Sequence, residues 1–434
     1  MTVTALVDRY ARSAQLLERA LTVIPLGSQT LSKSYRAFPR GAAPAFLSHG
    51  RGGHVWDVDG NEYVDLVCGL LPLVLGYDDP DVTVAVEQQL RRGITFSLAT
   101  ELEVELAEEL IDVIPCAEMV RFGKNGSDVT TGAIRLARAI TSRDRVAVCG
   151  YHGWHDWYVG STSMSRGVPQ AVRRLTHPFT YNDLDSLEQV LKAHPGEFAA
   201  VIMEPMNFAE PAPGFLAGVR DLAHAHGALF IFDEIITGFR FHLGGAQTLF
   251  GVTPDLATFG KSMANGMPIA ALVGRRDLMK VVDEIFFSFT FGGEALSIAA
   301  ALATIRKMRR EPVIRTLWER GQAVMDAAGR AISAYGLGDV IALAGKPCWS
   351  HLQFRDAPGA SLWAIKSLFL QEVLERGVLT AGSQNICFAH TEQDVTLIGA
   401  AYDAACCLVA EGLRSGNLKA LLRGEELQPI FRVR

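Results

Sequence analysis

The sequence lacks the marks of several large functional classes. Its seven cysteines (Cys68, Cys116, Cys149, Cys348, Cys387, Cys406 and Cys407) are odd in number, scattered and free of CxxC spacing. That argues against a disulfide framework or a zinc knuckle, and reduced thiols are the simpler expectation. No long basic run is present and the formal net charge is -6, so there is no electrostatic footprint for nucleic acid or an acidic membrane. No apolar run approaches the roughly 18 residues needed to cross a bilayer. Asp8, Arg9, Arg12, Glu18 and Arg19 fall where a signal peptide would carry its apolar core. Internal repeats and low-complexity segments are also missing. These absences lead us to expect a soluble, cytoplasmic protein with no nucleic-acid, membrane or metal partner.

What is present suits a globular enzyme: 434 residues with 49% hydrophobic and 20% charged, enough to bury a large core in more than one domain or subdomain. Residues 3 to 24 repeat apolar positions at helical spacing (Leu6, Tyr10, Leu16, Leu17, Ala20, Leu21) and end at Ile24-Pro25-Leu26-Gly27. The run His54 to Leu66 alternates around Asp59-Gly60 and reads as a β-hairpin. From about residue 80 to 310, helical stretches alternate with short apolar strands at Val146–Cys149, Ala199–Met203, Leu229–Phe232 and Ile269–Val273. That pattern predicts an α/β fold with a mostly parallel, wound sheet. Helices over roughly 313–335 and 360–376 bracket apolar runs near Val340–Leu343 and Ser350–Phe354, a smaller α/β lobe. We therefore expect an N-terminal segment over 1–79 that belongs to the small lobe, a large domain over 80–312 and a C-terminal small domain over 313–434.

The chain is organised around Phe230 to Lys261. An apolar strand ends in Asp233-Glu234, and a lysine follows in Phe259-Gly260-Lys261-Ser262. A nucleotide site is one reading, since Gly260-Lys261-Ser262 imitates the end of a P-loop, but Asp255 stands where the loop's first glycine is needed and the acidic strand precedes the lysine. Small and turn-forming residues around Lys261 suggest instead a tight turn that holds the amine against the interior, which lowers its pKa and makes it a better nucleophile and proton carrier. Pyridoxal 5'-phosphate (PLP) needs such a lysine for its aldehyde and an acid such as Asp233 for its pyridine nitrogen. Asn125-Gly126-Ser127-Asp128 opens a helix, which is either an ordinary N-cap or a phosphate seat. Tyr151-His152-Gly153-Trp154-His155 follows a strand; it could be a metal loop, but an aromatic platform against a flat ring is at least as plausible.

With these stations in this order, the chain resembles the class III aminotransferases of PLP fold type I, especially glutamate-1-semialdehyde aminomutases and the aminotransferases related to them. The likeness runs through Tyr35-Arg36-Ala37-Phe38, Asp57-Val58-Asp59-Gly60, Tyr151-His152-Gly153, Glu204-Pro205, Asp233-Glu234, Thr237-Gly238-Phe239-Arg240, Thr253-Pro254-Asp255-Leu256 and Gly260-Lys261. It implies that Lys261 is the Schiff-base lysine and proton shuttle, that Asp233 pairs with the pyridinium and that Glu204 sits close to the lysine and substrate. It also implies that Gly126 and Ser127 bind the phosphate, that Tyr151 stacks on the ring, and that His152 and Asn207 belong to the cofactor-binding set. Thr290 takes the place of a threonine that reaches the partner subunit's phosphate, so a homodimer with shared active sites is expected. Arg36 matches an arginine that binds a substrate carboxylate.

Three departures bear on the substrate. Where aminomutases carry a serine-tryptophan pair, this chain reads Cys68-Gly69-Leu70; where they carry a glutamate in a late loop, Ala381 to Cys387 has no acid. Glu294 also replaces a usual asparagine. Leu70, Glu294 and Asn385 are accordingly expected to help choose the substrate, together with Arg36. A wider pocket favours a transaminase that releases one ketoacid and admits another carbonyl. The pattern resembles relatives acting on sugar or aminocyclitol carbonyls, such as the 6'-aminotransferases of aminoglycoside pathways, with aminomutase activity or a non-catalytic binding role as the alternatives.

Overall fold

The N-terminal helix expected over residues 3 to 24 runs from Ala11 to Val23 in the computed structural model, which describes residues 9–429. Leu6, part of the expected repeat, lies outside the described residues. Tyr10, Leu17 and Ala20 are buried on one helix face, and the helix stops where Pro25 has no N–H to give. Strands β1 (Leu47–Arg51), β2 (His54–Asp57) and β3 (Glu62–Asp65) follow, with β2 and β3 paired antiparallel as His54↔Val64 and Trp56↔Glu62. The hairpin turn is built on Asp57. Its buried carboxylate accepts from the N–H groups of Asp59 (3.0 Å) and Asn61 (2.8 Å), from Asn61 Nδ2 (2.8 Å) and from the Tyr63 hydroxyl (2.9 Å).

The described chain divides into two compact units. The first holds the chain up to Leu70, Leu75–Asp79 and the chain from Arg315 onward; the second holds Leu71–Val74 and Pro80–Ile314. Leu71–Val74, which the sequence reading leaves within 1–79, thus groups with the second unit. The carbonyl of Leu71 there accepts from Arg240 Nη2 and Ser262 Oγ, each at 3.0 Å.

The second unit is built on a seven-stranded sheet of β4 (Met119–Gly123), β5 (Arg145–Cys149), β6 (Thr176–Pro178), β7 (Phe198–Met203), β8 (Leu229–Asp233), β9 (Leu256–Phe259) and β10 (Ala270–Gly274), in the order β4-β10-β9-β8-β7-β5-β6. β10 runs antiparallel to both neighbours and the other strands share one direction. β7 is buried at every residue, the signature of a strand covered on both faces. The helix Gly126–Thr141 packs Val129, Ala133, Ile134 and Ala137 into the same core. β4, β6 and β9 are additional to the strands expected from the sequence.

The remaining chain completes the first unit. β11 (Ile341–Lys346), β12 (Trp349–Phe354) and β14 (Ser383–Asn385) form an antiparallel sheet. β13 (Val378–Leu379) joins β3 in parallel, so the C-terminal chain extends the sheet begun by the N-terminal hairpin. The helix Glu392–Ser415 is long and apolar enough to cross a membrane by length and composition, with a mean hydropathy of 1.4. Sequence inspection passes over it because Asp394, Asp403 and Glu411 interrupt the apolar residues. Its buried face packs on the helix Leu362–Glu375, with Tyr402 against Phe369 at 5.5 Å, which is how a core helix meets the same test.

Candidate active site

Because β9, β8, β7 and β5 are consecutive and parallel, their C-terminal ends lie along one edge of the sheet, where open α/β folds bind ligands. Each end delivers a candidate residue. Lys261 follows β9, Asp233 closes β8, Glu204 follows β7, and Tyr151-His152 follow β5. Strands scattered over more than a hundred residues thereby place one amine, two carboxylates and two rings side by side.

Lys261 opens a short 3-10 turn, Lys261–Ala264, with a positive φ of 40°. Burial is the main influence on its amine and holds the pKa below the ordinary lysine value, Glu204 and Asp233 act against it, and Arg240 acts with it. Asp233 is 4% exposed and held at both oxygens: Oδ2 lies 2.8 Å from His152 Nδ1, while Oδ1 accepts from Ile235 N (3.1 Å) and Thr258 Oγ1 (3.3 Å). Since a carboxylate only accepts, the short contact places the imidazole proton on Nδ1. The His152 ring is fixed in turn between Trp157 and Tyr158. Glu204 takes the Tyr151 N–H at 2.9 Å. Burial first, and the neighbouring Asp233 second, push its pKa up to about 7 against the opposing pull of His152, the Tyr151 N–H and Lys261.

At the start of the helix Gly126–Thr141, Asp128 Oδ2 accepts from Lys124 N (3.1 Å) and Asn125 N (2.7 Å). The first-turn N–H groups of Gly126 and Ser127 have no acceptor within the helix, and the positive end of the helix dipole lies there. Ser127 Oγ accepts from Trp154 N at 3.3 Å, which ties this helix start to the loop after β5. That loop approaches closely at its glycines. A Cβ on Gly153 (φ 103°) would stand 2.3 Å from Ser127 Oγ, and one on Gly150 (φ 107°) 2.4 Å from Glu204 Oε2. A half-buried amine of lowered pKa, a fixed carboxylate, an exposed aromatic ring at Tyr151 and a helix N-terminus with a serine make a donor set that fits pyridoxal 5'-phosphate.

The other expected site residues have these surroundings. Asn207 turns its side-chain oxygen onto its own loop, accepting from Phe208 N at 2.6 Å. Thr290 sits exposed on a turn behind Phe287 and Phe289, which pack edge to face at 5.4 Å. Glu294 commits both oxygens to structure: it caps the helix Ala295–Arg310 through Leu296 N (2.7 Å) and Ser297 N (3.2 Å), and pairs with Lys124 Nζ at 2.8 Å. Arg36, Leu70 and Asn385 belong to the first unit. Arg36 lies in the turn Tyr35–Ala37 with its guanidinium 5.9 Å from the Tyr35 ring centre. Leu70 and Asn385 are neighbours there, since Leu70 N (2.9 Å) and Asn385 Nδ2 (2.8 Å) both donate to the Val67 carbonyl.

Three residues of the second unit have roles that the sequence did not assign. Thr258 supports Asp233 from the adjacent strand, and nothing local marks it out. Arg240 is fully buried, and only its place in the Thr237 to Arg240 motif gave a signal. Glu234, read simply as the second acid of a pair, accepts from Thr237 Oγ1 (2.6 Å), Ala246 N (2.6 Å) and Gln247 N (3.0 Å), which secures the chain beyond β8.

The chain matches the family model of class-III aminotransferases over residues 37–389. It is 38% identical over 397 residues to a 3-aminobutyryl-CoA aminotransferase of Cloacimonas acidaminovorans (strain Evry), covering 89% of this chain and 94% of the relative. It is also 38% identical over 426 residues to a glutamate-1-semialdehyde 2,1-aminomutase of Roseiflexus castenholzii, covering 91% and 96%. Among solved structures, the FumI protein of Sphingopyxis sp. MTA144, in its PLP internal aldimine form, superposes with a TM-score of 0.88 at 31% identity, covering 97% of this chain and 99% of that one. The chain therefore belongs to the class III aminotransferases, and it is a PLP-dependent enzyme of α/β fold.

Proposed function

We propose that this enzyme moves an amino group from glutamate or glutamine to an aldehyde or ketone on a sugar- or aminocyclitol-type acceptor, such as a 6'-oxo aminoglycoside intermediate, and that it does so as a homodimer with shared active sites. The observation that carries the transaminase chemistry is the row of Lys261, Asp233 and Glu204 along one sheet edge, with the lysine held below its ordinary pKa. The bound cofactor supplies an electron sink for the substrate carbon whose amino group is exchanged.

Each residue has a defined task in this reading. Lys261 would hold the cofactor's aldehyde carbon, and its amine, when free, would carry a proton from the substrate carbon and back. Asp233, held by His152 and Thr258, keeps the pyridine nitrogen protonated. The N–H groups of Gly126 and Ser127 and the Ser127 hydroxyl receive the phosphate, while Tyr151 covers the ring. Glu204, close to neutral pKa, adjusts the charge beside Lys261. The exposure of Thr290 suits a residue presented to the other subunit's phosphate, and Arg36 would take the donor's carboxylate as a bidentate partner.

Support for the acceptor class comes from the small Cys68-Gly69-Leu70 segment and the acid-free stretch Ala381 to Cys387, which hydrogen-bond to each other within the first unit. A relative named 3-aminobutyryl-CoA aminotransferase supports transfer at a carbon other than that of an α-amino acid. The second reading is glutamate-1-semialdehyde 2,1-aminomutase, favoured by the relative of that name at 38% identity.

Purified enzyme should show the visible absorption band of lysine-linked cofactor, and Lys261→Ala should lose it; a persisting band would remove Lys261 from its role. The pyridoxamine-loaded enzyme is then offered a panel of carbonyl compounds. Return of the visible band with sugar-type aldehydes supports the acceptor class. Formation of 5-aminolevulinate from glutamate-1-semialdehyde without added donor favours the aminomutase instead.

A further inference from the structure

The first unit contains a cluster that amino transfer does not use. The sulfurs of Cys68 and Cys387 and a ring nitrogen of His390 lie within 4.8 Å of one another, and each of the three residues is 1% exposed. His390 Nδ1 accepts the Cys387 N–H at 3.1 Å. The opposite side of the ring presses on Gly53, where a Cβ would stand 2.4 Å from Cδ2 and 3.1 Å from Nε2, so Nδ1 is held toward Cys387. Cys68 Sγ lies 3.0 Å from the Asn385 carbonyl and 3.2 Å from that of Asp65. The hydrogen bond from Cys68, reinforced by His390, holds the Cys387 thiol well below its ordinary pKa. Two thiols and an imidazole within 4.8 Å of one another form a pair whose sulfurs can be joined, unlike a lone buried cysteine.

The chain on either side gives the pair mechanical reach. Cys68 begins a run of four consecutive residues with positive φ (46°, 64°, 77° and 81° at Cys68, Gly69, Leu70 and Leu71), a strained segment kept in place by its neighbours. Cys387 lies two residues beyond Asn385, whose carbonyl accepts from Cys68 Sγ and whose side chain donates to the carbonyl of the adjoining Val67. We propose that Cys68 and Cys387 form a peroxide-responsive thiol pair that closes reversibly to a disulfide, tying the Cys68–Leu71 segment to the end of β14.

The chemistry balances with hydrogen peroxide as the oxidant. The Cys387 thiolate attacks one peroxide oxygen, the O–O bond breaks, and hydroxide leaves a sulfenic acid on Cys387. Cys68 then attacks the Cys387 sulfur; the S–O bond breaks, the S–S bond forms, and the Cys68 proton leaves with the hydroxyl as water. Two sulfurs together lose two electrons and the peroxide gains two. A soft metal ion is the competing occupant, but it would have to displace the Cys387 N–H from His390 Nδ1.

Holoenzyme is treated with hydrogen peroxide, alkylated, digested without reductant and mapped by mass spectrometry. The expected product is a Cys68–Cys387 cross-linked peptide, with two of the seven thiols lost per chain in a denaturing thiol titration and regained with dithiothreitol. Cys407→Ser, which removes the exposed cysteine, should leave the cross-link intact, and Cys68→Ser should abolish it. Oxidation confined to Cys407, or a Cys387 oxidised without a link to Cys68, overturns the proposal in the unmutated enzyme itself. So does one equivalent of tightly bound zinc that blocks the cross-link.

Discussion

At the scale of single residues, Glu204 carries the sharpest consequence. Its folded-state pKa of about 7 stands above the ordinary 4.5, so the folded cofactor-free protein keeps a proton that the unfolded chain has lost. Below about 4.5 both states are protonated and the group contributes nothing. Between that pH and 7 stability falls as pH rises, and above 7 the full cost is present, on the order of 3 kcal/mol. Glu204→Gln should flatten the decline in melting temperature of the cofactor-free protein over this window and make it the more stable of the two at pH 8. Parallel pH profiles for the two proteins would falsify the assignment. That Glu204 sits near a lysine was legible in the sequence through the family resemblance, whereas its near-neutral pKa was not. Desolvation and the neighbouring Asp233 come from strands the sequence cannot order.

At the scale of elements, helix starts and turns were read well where the partners are local. The hairpin turn on Asp57 and the opening of the helix at Gly126 depend on groups a few residues apart, so their residue types are enough to announce them. Glu294 shows the opposite case. Its replacement of an asparagine looked like a substrate choice, yet the carboxylate caps its own helix and pairs with Lys124, which comes from far earlier in the chain. Glu294→Ala removes the cap and leaves a partly buried ammonium without its partner, so a loss of about 1–3 kcal/mol in unfolding free energy is expected. Chemical denaturation measures it. An unchanged midpoint together with a large rise in acceptor KM would return Glu294 to the substrate.

At the scale of the whole molecule, Phe286 is 80% and Phe291 58% exposed, on either side of Thr290. Large apolar side chains left in water on one loop suit burial against a second copy. Light scattering of the purified enzyme is expected to give about twice the 47.1 kDa chain mass, and Phe291→Asp should shift the population toward monomer and weaken cofactor retention. A monomeric, fully active enzyme would refute the shared-site reading. The sequence by itself determined the α/β class, the hairpin and the helix start at Gly126, because periodicity and turn chemistry are written in neighbouring residues. Only the tertiary structure decided that β9, β8, β7 and β5 lie side by side, that His152 and Thr258 secure Asp233, that Glu294 serves a helix, and that Cys68 meets Cys387. Each of these depends on hydrogen bonding and burial between residues far apart in the chain, which no local pattern encodes.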